Sequence, residues 1–505
     1  MIIFLNKRYI LSLFSFLTII FVNAIWSANI FTEWGTDFGV YYAGSYFIDE
    51  NYRLYKEFFS HKGPIYYLFL RSVGLIFGWG FWQAYFSLFL TVLVFYLPIF
   101  IILIYERLNF QSFFAATLLS LCLLYGQDTN SSISFFQSGF LITSFWLLIR
   151  CGKNFFMLSA SFSLFIFAVF TRIDAIIYLP VYLIALFSIN YPNSIITFLK
   201  NIFFWFIILI IIFWLLSYTY DFNVNDYIIH NFTFNKWYAS NLRSCNNFIC
   251  TFAIYLIRPL SYKILTGSLL VLPLIFFSRQ IRSAIHEIFL SIKNIIKKKS
   301  IKNYNPSNIY VSIIIIISGF SWFLTKSDKN YHLLIFLVPL LFFYLINFHI
   351  LTRIKSIFII FLAGYCLIIT IFSPALKIYN DPECLYSPFC VSSNLNKSKE
   401  SINFLKKSNY SKVSIVHGNG WFYFYSNKKP ARSINDLWLY ALDKSFLTPE
   451  LINQHEKLLK NSGEQFLIDS ELIDRVNNKN KLLKQILEKS ELINNQNTYS
   501  VYQIK

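Results

Sequence analysis

The chain has 505 residues, of which 56% are hydrophobic and only 14% charged, with a formal net charge of +19. A soluble globular protein carries about 25% charged residues, and the shortfall here sits in long uncharged blocks at 202–216, 309–322 and 357–371. That pattern excludes a single water-soluble core and makes the bilayer the natural solvent; the positive excess marks cytoplasmic loops of a membrane protein, not a nucleic-acid partner.

In chain order, Lys7 and Arg8 precede the apolar run Tyr9–Trp26. The run is longer than the roughly 7–15 residues of a signal-peptide core and no small-x-small site follows, so it reads as a retained first span. The requirement of roughly 20 apolar residues per crossing, with allowance for short tilted helices, gives about 11 spans. They lie near 9–26, 81–105, 111–126, 134–149, 155–170, 175–188, 201–219, 264–277, 309–324, 332–349 and 356–374. With the N-terminus inside, the cytoplasmic connections carry Glu106-Arg107, Arg150 to Lys153, 190–201, 278–308 and Thr352 to Lys355. The fourth of these holds Arg279, Arg282, Lys293, Lys297, Lys298, Lys299 and Lys302, the densest short basic loop in the chain. By the positive-inside rule it fixes the orientation, and an odd number of spans then puts the C-terminal part outside. Of the seven cysteines, Cys245/Cys250 and Cys384/Cys390 form close pairs in predicted outer regions. Oxidising compartments favour bridges there, although spacing alone leaves free thiols equally open. Cys122, Cys151 and Cys366 sit in or beside spans as packing residues.

The tail reads as a small α/β unit. Strands are predicted at Lys412–His417, Glu464–Asp469 and Tyr499–Ile504, with helical spacing over Leu472–Leu492. The expected fold class is therefore mainly α: a polytopic transmembrane helical bundle over 1–375 and a small C-terminal extracytoplasmic α/β domain over 376–505. No internal repeat is visible in the membrane part, which counts against a secondary transporter.

The stretch 27–80, between the first two spans, is the most information-dense part of the chain. Asp37 lies at the predicted membrane surface, and Tyr41, Tyr42 and Tyr46 follow at helical spacing, as in an interfacial helix with an aromatic face. Asp49-Glu50-Asn51 ends that helix; Tyr52–Tyr55 and then His61-Lys62-Gly63-Pro64 follow. Pro64 is placed to open the apolar helix Ile65–Phe77, which is read as lying along the membrane, since a crossing there would reverse the topology. An outer acid followed by a basic pair suits group transfer. Asp37 can take a proton from an acceptor hydroxyl, and Lys62, with His61 beside it, can hold a departing phosphate. The alternatives are an N-cap for Asp37 and snorkelling at the interface for His61 and Lys62. Further along, Arg172 in Thr171-Arg172-Ile173-Asp174 offers a bidentate fork for phosphate, with an Arg172–Asp174 structural pair as the equal alternative. No phosphate loop, nucleotide-binding glycine pattern or metal-type Cys/His spacing is present in the sequence.

These residues resemble the GT-C superfamily of membrane glycosyltransferases, and more narrowly the branch that includes protein O-mannosyltransferases and the aminoarabinose transferase of lipid A. The matching residues are Asp37, then Asn51-Tyr52-Arg53-Leu54-Tyr55-Lys56-Glu57-Phe58-Phe59 for a G-x-x-L-Y-x-x-F pattern, then His61-Lys62-Gly63-Pro64. His417–Arg432 is similar to a stretch in outer domains of bacterial members. The likeness is sharp over 30–80 and architectural elsewhere. It implies a single displacement at the anomeric carbon of a sugar carried on a polyprenyl phosphate, with Asp37 as base and Lys62 on the lipid phosphate. It adds Asp128, in the connection 126–134, as a second acid, with a helix cap as its alternative. It also adds Lys329 and His332, in the turn before a Pro-containing span, as donor-phosphate contacts, with plain flanking residues as their alternative. Thr36 stands where the family often has an adjacent acid, which leaves a divalent metal open; no other cofactor is implied. His61 stands where an acid is common.

The expected activity is thus a glycosyltransferase moving a hexosyl or pentosyl group from a polyprenyl-phosphate donor to an extracytoplasmic glycolipid or polysaccharide, less readily a protein. Its partners are the donor, a glycan or lipid acceptor and membrane lipids. A flippase or transporter of lipid-linked saccharides would place its functional charges at the bilayer midplane, and a surface-polysaccharide polymerase or ligase would place its main loop late among the spans.

Overall fold

The computed structural model describes residues 7–31, 37–56, 60–106, 108–124, 127, 129–151, 154–190, 195–235, 279, 282, 286, 313–314, 317, 334–380, 402–409, 412–416, 426–430, 465–469, 488, 490–495 and 499–504. Helices dominate: α1 (Lys7–Ser27), α2 (Asp37–Asp49), α3 (Pro64–Phe77), α4 (Phe81–Tyr105), α5 (Phe110–Leu121), α6 (Ser132–Arg150), α7 (Phe155–Thr171), α8 (Leu179–Asn190), α9 (Ile195–Tyr220), α10 (Val224–Ile228), α11 (Leu334–Asn347) and α12 (Arg353–Asn380). Among the described residues four stretches are long and apolar enough to cross a membrane: Ile10–Ile30, Phe81–Tyr105, Thr129–Arg150 and Ile196–Tyr220. The remaining predicted segments within the described residues are occupied by shorter helices, by the six-residue 3₁₀ turn Ile173–Tyr178 that leads into α8, and by α12. The segment 264–277 and most of 309–324 lie outside the described residues, as do the Cys245/Cys250 and Cys384/Cys390 pairs.

Local sequence sets several helix starts. Asn109 caps α5, its side chain accepting from the Ser112 amide at 2.9 Å. Asn154 caps α7, accepting from the Phe156 and Met157 amides at 3.0 and 3.1 Å. Each satisfies amides that the helix itself leaves unpaired. The bundle is held by close packing. A Cβ at Gly139 on α6 would come within 2.4 Å of the Val94 carbonyl oxygen on α4, so glycine is what permits that approach. Serines then tie α6 to α7: Ser144 Oγ donates to the Ser161 carbonyl at 2.5 Å and Ser161 Oγ returns a bond to the Ser144 carbonyl at 2.6 Å. Where lipid offers no competing water, small side chains and interhelical hydrogen bonds replace the hydrophobic drive. Cys122, Cys151 and Cys366 are buried free thiols.

The helix α3 starts at Pro64, as its sequence predicts. Its 14 residues extend about 21 Å at 1.5 Å per residue, short of a roughly 30 Å hydrocarbon core. The aromatic face of α2 packs on protein: Tyr41 meets Tyr66 and Tyr67 edge-on at 5.6 and 6.3 Å, while Tyr42 and Tyr46 meet Trp79 at 5.1 and 5.4 Å.

In the tail, β1 (Lys412–Val416), β2 (Lys429–Pro430), β3 (Gln465–Asp469), β4 (Ser490–Asn495) and β5 (Tyr499–Ile504) form one mixed sheet in the order β2-β1-β3-β5-β4. β1 runs parallel to β2 and β3, and β5 runs antiparallel to β3 and β4. The helical spacing expected up to Leu492 fails at its end, because Ser490–Leu492 belong to β4. Leu492 pairs with Tyr502 and a bulge follows before Asn494 pairs with Val501. Pairing with β5 overrides a helical period that only short apolar runs supported.

Candidate functional site

Asp37 is the first residue of α2. Its amide donates to Asn130 Oδ1 at 2.5 Å, and Asn130 belongs to the 3₁₀ turn Thr129–Ser131 that leads into α6. A side chain from another element therefore caps this amide. One turn on, Tyr41 Oη stands 3.5 Å from Asp37 Oδ2.

The Lys62 segment is held on every side. Tyr55 Oη donates to the Lys62 carbonyl at 2.7 Å, from a backbone at φ 68° that is rare for a bulky residue. Ser60 Oγ accepts from the Lys62 amide at 3.1 Å and shares a 2.8 Å hydrogen bond with Tyr67 Oη. His230 Nδ1 lies 3.1 Å from the Ser60 carbonyl, which makes it the protonated nitrogen of that ring. Asn235 Nδ2 donates to the His61 carbonyl at 3.2 Å. The Gly63 amide then donates to the Thr171 carbonyl at 3.0 Å. A Cβ on Gly63 would sit 1.8 Å from the Phe170 carbonyl oxygen, so only glycine lets the chain press against the end of α7. Lys62 is 8% exposed, and the His61 ring packs 5.6 Å from Phe234.

Tyr67 joins the two predicted residues. Burial pushes its phenol well above the ordinary value, the Ser60 hydrogen bond pulls the other way, and the negative charge of Asp37 adds to the rise. Tyr67, Ser60 and the Lys62 amide thus form one hydrogen-bonded chain, and the charge of Asp37 acts on its Tyr67 end through space.

Arg172 follows α7 directly behind this set. Its Nη2 contacts Asp174 Oδ2 at 2.6 Å and its Nη1 hydrogen-bonds Ser134 Oγ on α6. Gln137 Nε2 donates to the Arg172 carbonyl and to Asp174 Oδ1, both at 2.9 Å. The structural pair named as the alternative for Arg172 is therefore formed. Asp128, Lys329 and His332 lie outside the described residues. Among the described residues no three His, Cys, Asp or Glu side chains gather as metal ligands do.

Sequence reasoning missed Asn130, Tyr67 and His230. Gly63 was legible as the x of K-x-P. His230 carried no local signal, because its partner Ser60 is 170 residues away; a buried histidine in a five-residue π-helical turn, Ile229–Thr233, is recognisable only in three dimensions.

No protein-family model matches the sequence, and no curated relative matches it. Solved structures do. The crystal structure of ArnT from Cupriavidus metallidurans in the apo state is 12% identical over 98% of this chain and 97% of its own, with a TM-score of 0.55. The crystal structure of ArnT from Cupriavidus metallidurans bound to undecaprenyl phosphate is 11% identical over 96% of this chain and 97% of its own, with a TM-score of 0.54. The chain thus shares, over nearly its whole length, the fold of ArnT, the lipid A aminoarabinose transferase of the GT-C class, to whose branch residues 30–80 were compared.

Proposed function

We propose that this chain is a membrane glycosyltransferase that moves a sugar from a polyprenyl phosphate to an acceptor hydroxyl outside the cytoplasm. The observation that carries the reading is the hydrogen-bonded chain Tyr67–Ser60–Lys62 with the charge of Asp37 acting on Tyr67, in a fold shared with a structure bound to undecaprenyl phosphate. Asp37 accepts the proton of the acceptor hydroxyl as that oxygen attacks the anomeric carbon. The bond from that carbon to the phosphate oxygen breaks, and the polyprenyl phosphate leaves with the electron pair. Lys62 stabilises the charge that grows on the leaving oxygen. His61 borders the same phosphate. Arg172, whose fork is engaged by Asp174 and Ser134, positions the end of α7 on which the Gly63 amide rests. The sequence resemblance adds Asp128 as a second acid and Lys329 and His332 as contacts to the donor phosphate.

The orientation goes with this reading. The N-terminus is cytoplasmic, residues 1–375 form the transferase domain with about 11 spans, and 376–505 form a soluble α/β domain on the outer side of the inner membrane. The acceptor is a glycolipid or polysaccharide.

The test is Asp37→Asn in the full-length protein. The expected result is accumulation of the lipid-linked sugar and a fall in transfer of about 10²- to 10⁴-fold, the range for loss of a general base, with the variant inserted in the membrane at wild-type level. Full transfer activity in the well-expressed variant would remove Asp37 from the chemistry.

A further inference from the structure

Four buried polar atoms near the Lys62 segment make no hydrogen bond among the described residues: the Tyr220 and Tyr227 hydroxyls, Asn231 Oδ1 and Arg71 Nε. They belong to one neighbourhood. Asn231 lies one turn beyond Tyr227, and its Nδ2 donates to the Tyr227 carbonyl at 3.3 Å. The Tyr227 ring meets Tyr55 edge-on at 6.1 Å. Tyr220 and Tyr227 both stack on Phe222, at 6.5 and 6.1 Å. Arg71 follows Tyr67 by one turn of α3, and both are electrostatic neighbours of Tyr220. Tyr55 Oη reaches the Lys62 carbonyl, so the cluster adjoins the segment that carries the proposed phosphate contact.

Buried polar side chains are paired as a rule. Several unpaired hydroxyl and amide atoms between flat aromatic rings are the complement of a small polyhydroxylated ring, whose hydroxyls take the polar atoms and whose C–H faces lie on the aromatics. Charge argues for a neutral occupant. Arg71 Nε stands 3.6 Å from Asp49 Oδ1, and Arg53 and Lys56 face Asp221 at 3.4 and 3.5 Å, so these cations already meet carboxylates, whereas a phosphate would call for cations free to meet it.

We propose that this cluster seats the sugar ring of the lipid-linked donor, with Tyr220, Tyr227 and Asn231 reading its hydroxyls while the phosphate lies toward Lys62. The inference rests on the transferase reading and deepens it: these three residues set which sugar is accepted.

The experiment uses the full-length protein in lipid nanodiscs. Its probes are undecaprenyl phosphate and undecaprenyl phosphates bearing a hexose or a pentose. The wild type is expected to bind at least one sugar-bearing lipid more tightly than the bare lipid. Tyr227→Phe and Tyr220→Phe each remove one hydroxyl and keep the ring. Each is expected to lower that affinity roughly 5- to 10-fold, the size of one neutral hydrogen bond, and to leave bare-lipid affinity within about twofold. Each should also melt at or above the wild-type temperature, because only an unpaired hydroxyl is lost. If no sugar-bearing lipid exceeds the bare lipid, or if the Phe variants keep the ratio, the inference falls while the transferase reading stands on the bare lipid. An unchanged ratio with a lowered melting temperature assigns the hydroxyls to buried water and also overturns it. Binding of neither lipid overturns both readings.

Discussion

An arginine–carboxylate pair lies beside each end of helix α6, and the two pairs are nearly the same length. At its Ser132 end, Ser134 supports Arg172, which meets Asp174 at 2.6 Å. At its other end Arg150 meets Glu106 at 2.5 Å. Distance does not separate them; surroundings do. The Arg172 side chain is 7% exposed, and Gln137 pairs with both its backbone and its partner. The Arg150 side chain is 38% exposed although its partner Glu106 is 12% exposed, and its guanidinium lies 4.5 Å over the Tyr105 ring. A buried pair carries a desolvation penalty that only a complete set of partners offsets. A pair whose cation reaches solvent carries a smaller penalty and contributes less. The end of the bundle that accepts the penalty is the end where the Gly63 amide meets Thr171 and Asn130 caps Asp37.

The largest effect should come from breaking the buried pair on one side. Arg172→Ala strips the guanidinium from Asp174 and Ser134, and a loss of about 3–5 kcal/mol is expected, read as a large drop in the detergent unfolding midpoint. The double change Arg172→Met with Asp174→Leu should recover much of it, since an apolar pair of similar size has no charge to strand. A single Arg172→Ala as stable as the wild type would erase the contrast between the two ends. Next comes Gly63→Ala. Its new methyl would meet the Phe170 carbonyl at 1.8 Å, so the Lys62 segment must lift from α7 at a cost of about 1–3 kcal/mol. Transfer activity should fall further than stability, because Lys62 moves with the segment.

Much of this contrast was readable from the sequence and part was not, for definite reasons. The start of α3 was legible because Pro64 fixes its own φ and needs no amide partner at a first turn. The stretch 81–105 coincides with α4 because an uncharged run of that length has one stable form in lipid. Asp37 and Lys62 stood out because acid and cation appear in one stretch between the first two predicted spans. Asn130, Tyr67 and His230 did not, because each earns its place through a partner distant in sequence. The β4 error has the same origin: the helical spacing before Leu492 was real, and the competing partner was a strand that follows it in the chain.

His230 tests whether the Asp37 end is held by positioning as well as by charge. Its Nδ1 bond to the Ser60 carbonyl steadies the residue that receives the Lys62 amide and the Tyr67 hydroxyl. His230→Ala is expected to lower transfer by about tenfold, the worth of roughly one hydrogen bond. His230→Asn, whose amide nitrogen overlaps Nδ1, should restore part of it. Equal activity of the two variants would show that only ring volume matters at this position.

The smallest effect belongs to the opposite end. Arg150→Ala removes an ion pair and a ring contact whose guanidinium remains partly in solvent, and takes this cation from Glu106, which is 12% exposed, so about 1 kcal/mol of stability is at stake. Transfer activity should be unchanged, because nothing on α6 links Arg150 to the Lys62 segment except the helix itself. The informative readout is salt. Added salt should shift the unfolding midpoint of the wild type slightly toward that of Arg150→Ala, since screening acts on exposed charges, and should leave the effect of Arg172→Ala untouched. A loss from Arg150→Ala as large as that from Arg172→Ala would mean that burial does not rank these two pairs, and that both ends of α6 belong to one cooperative frame.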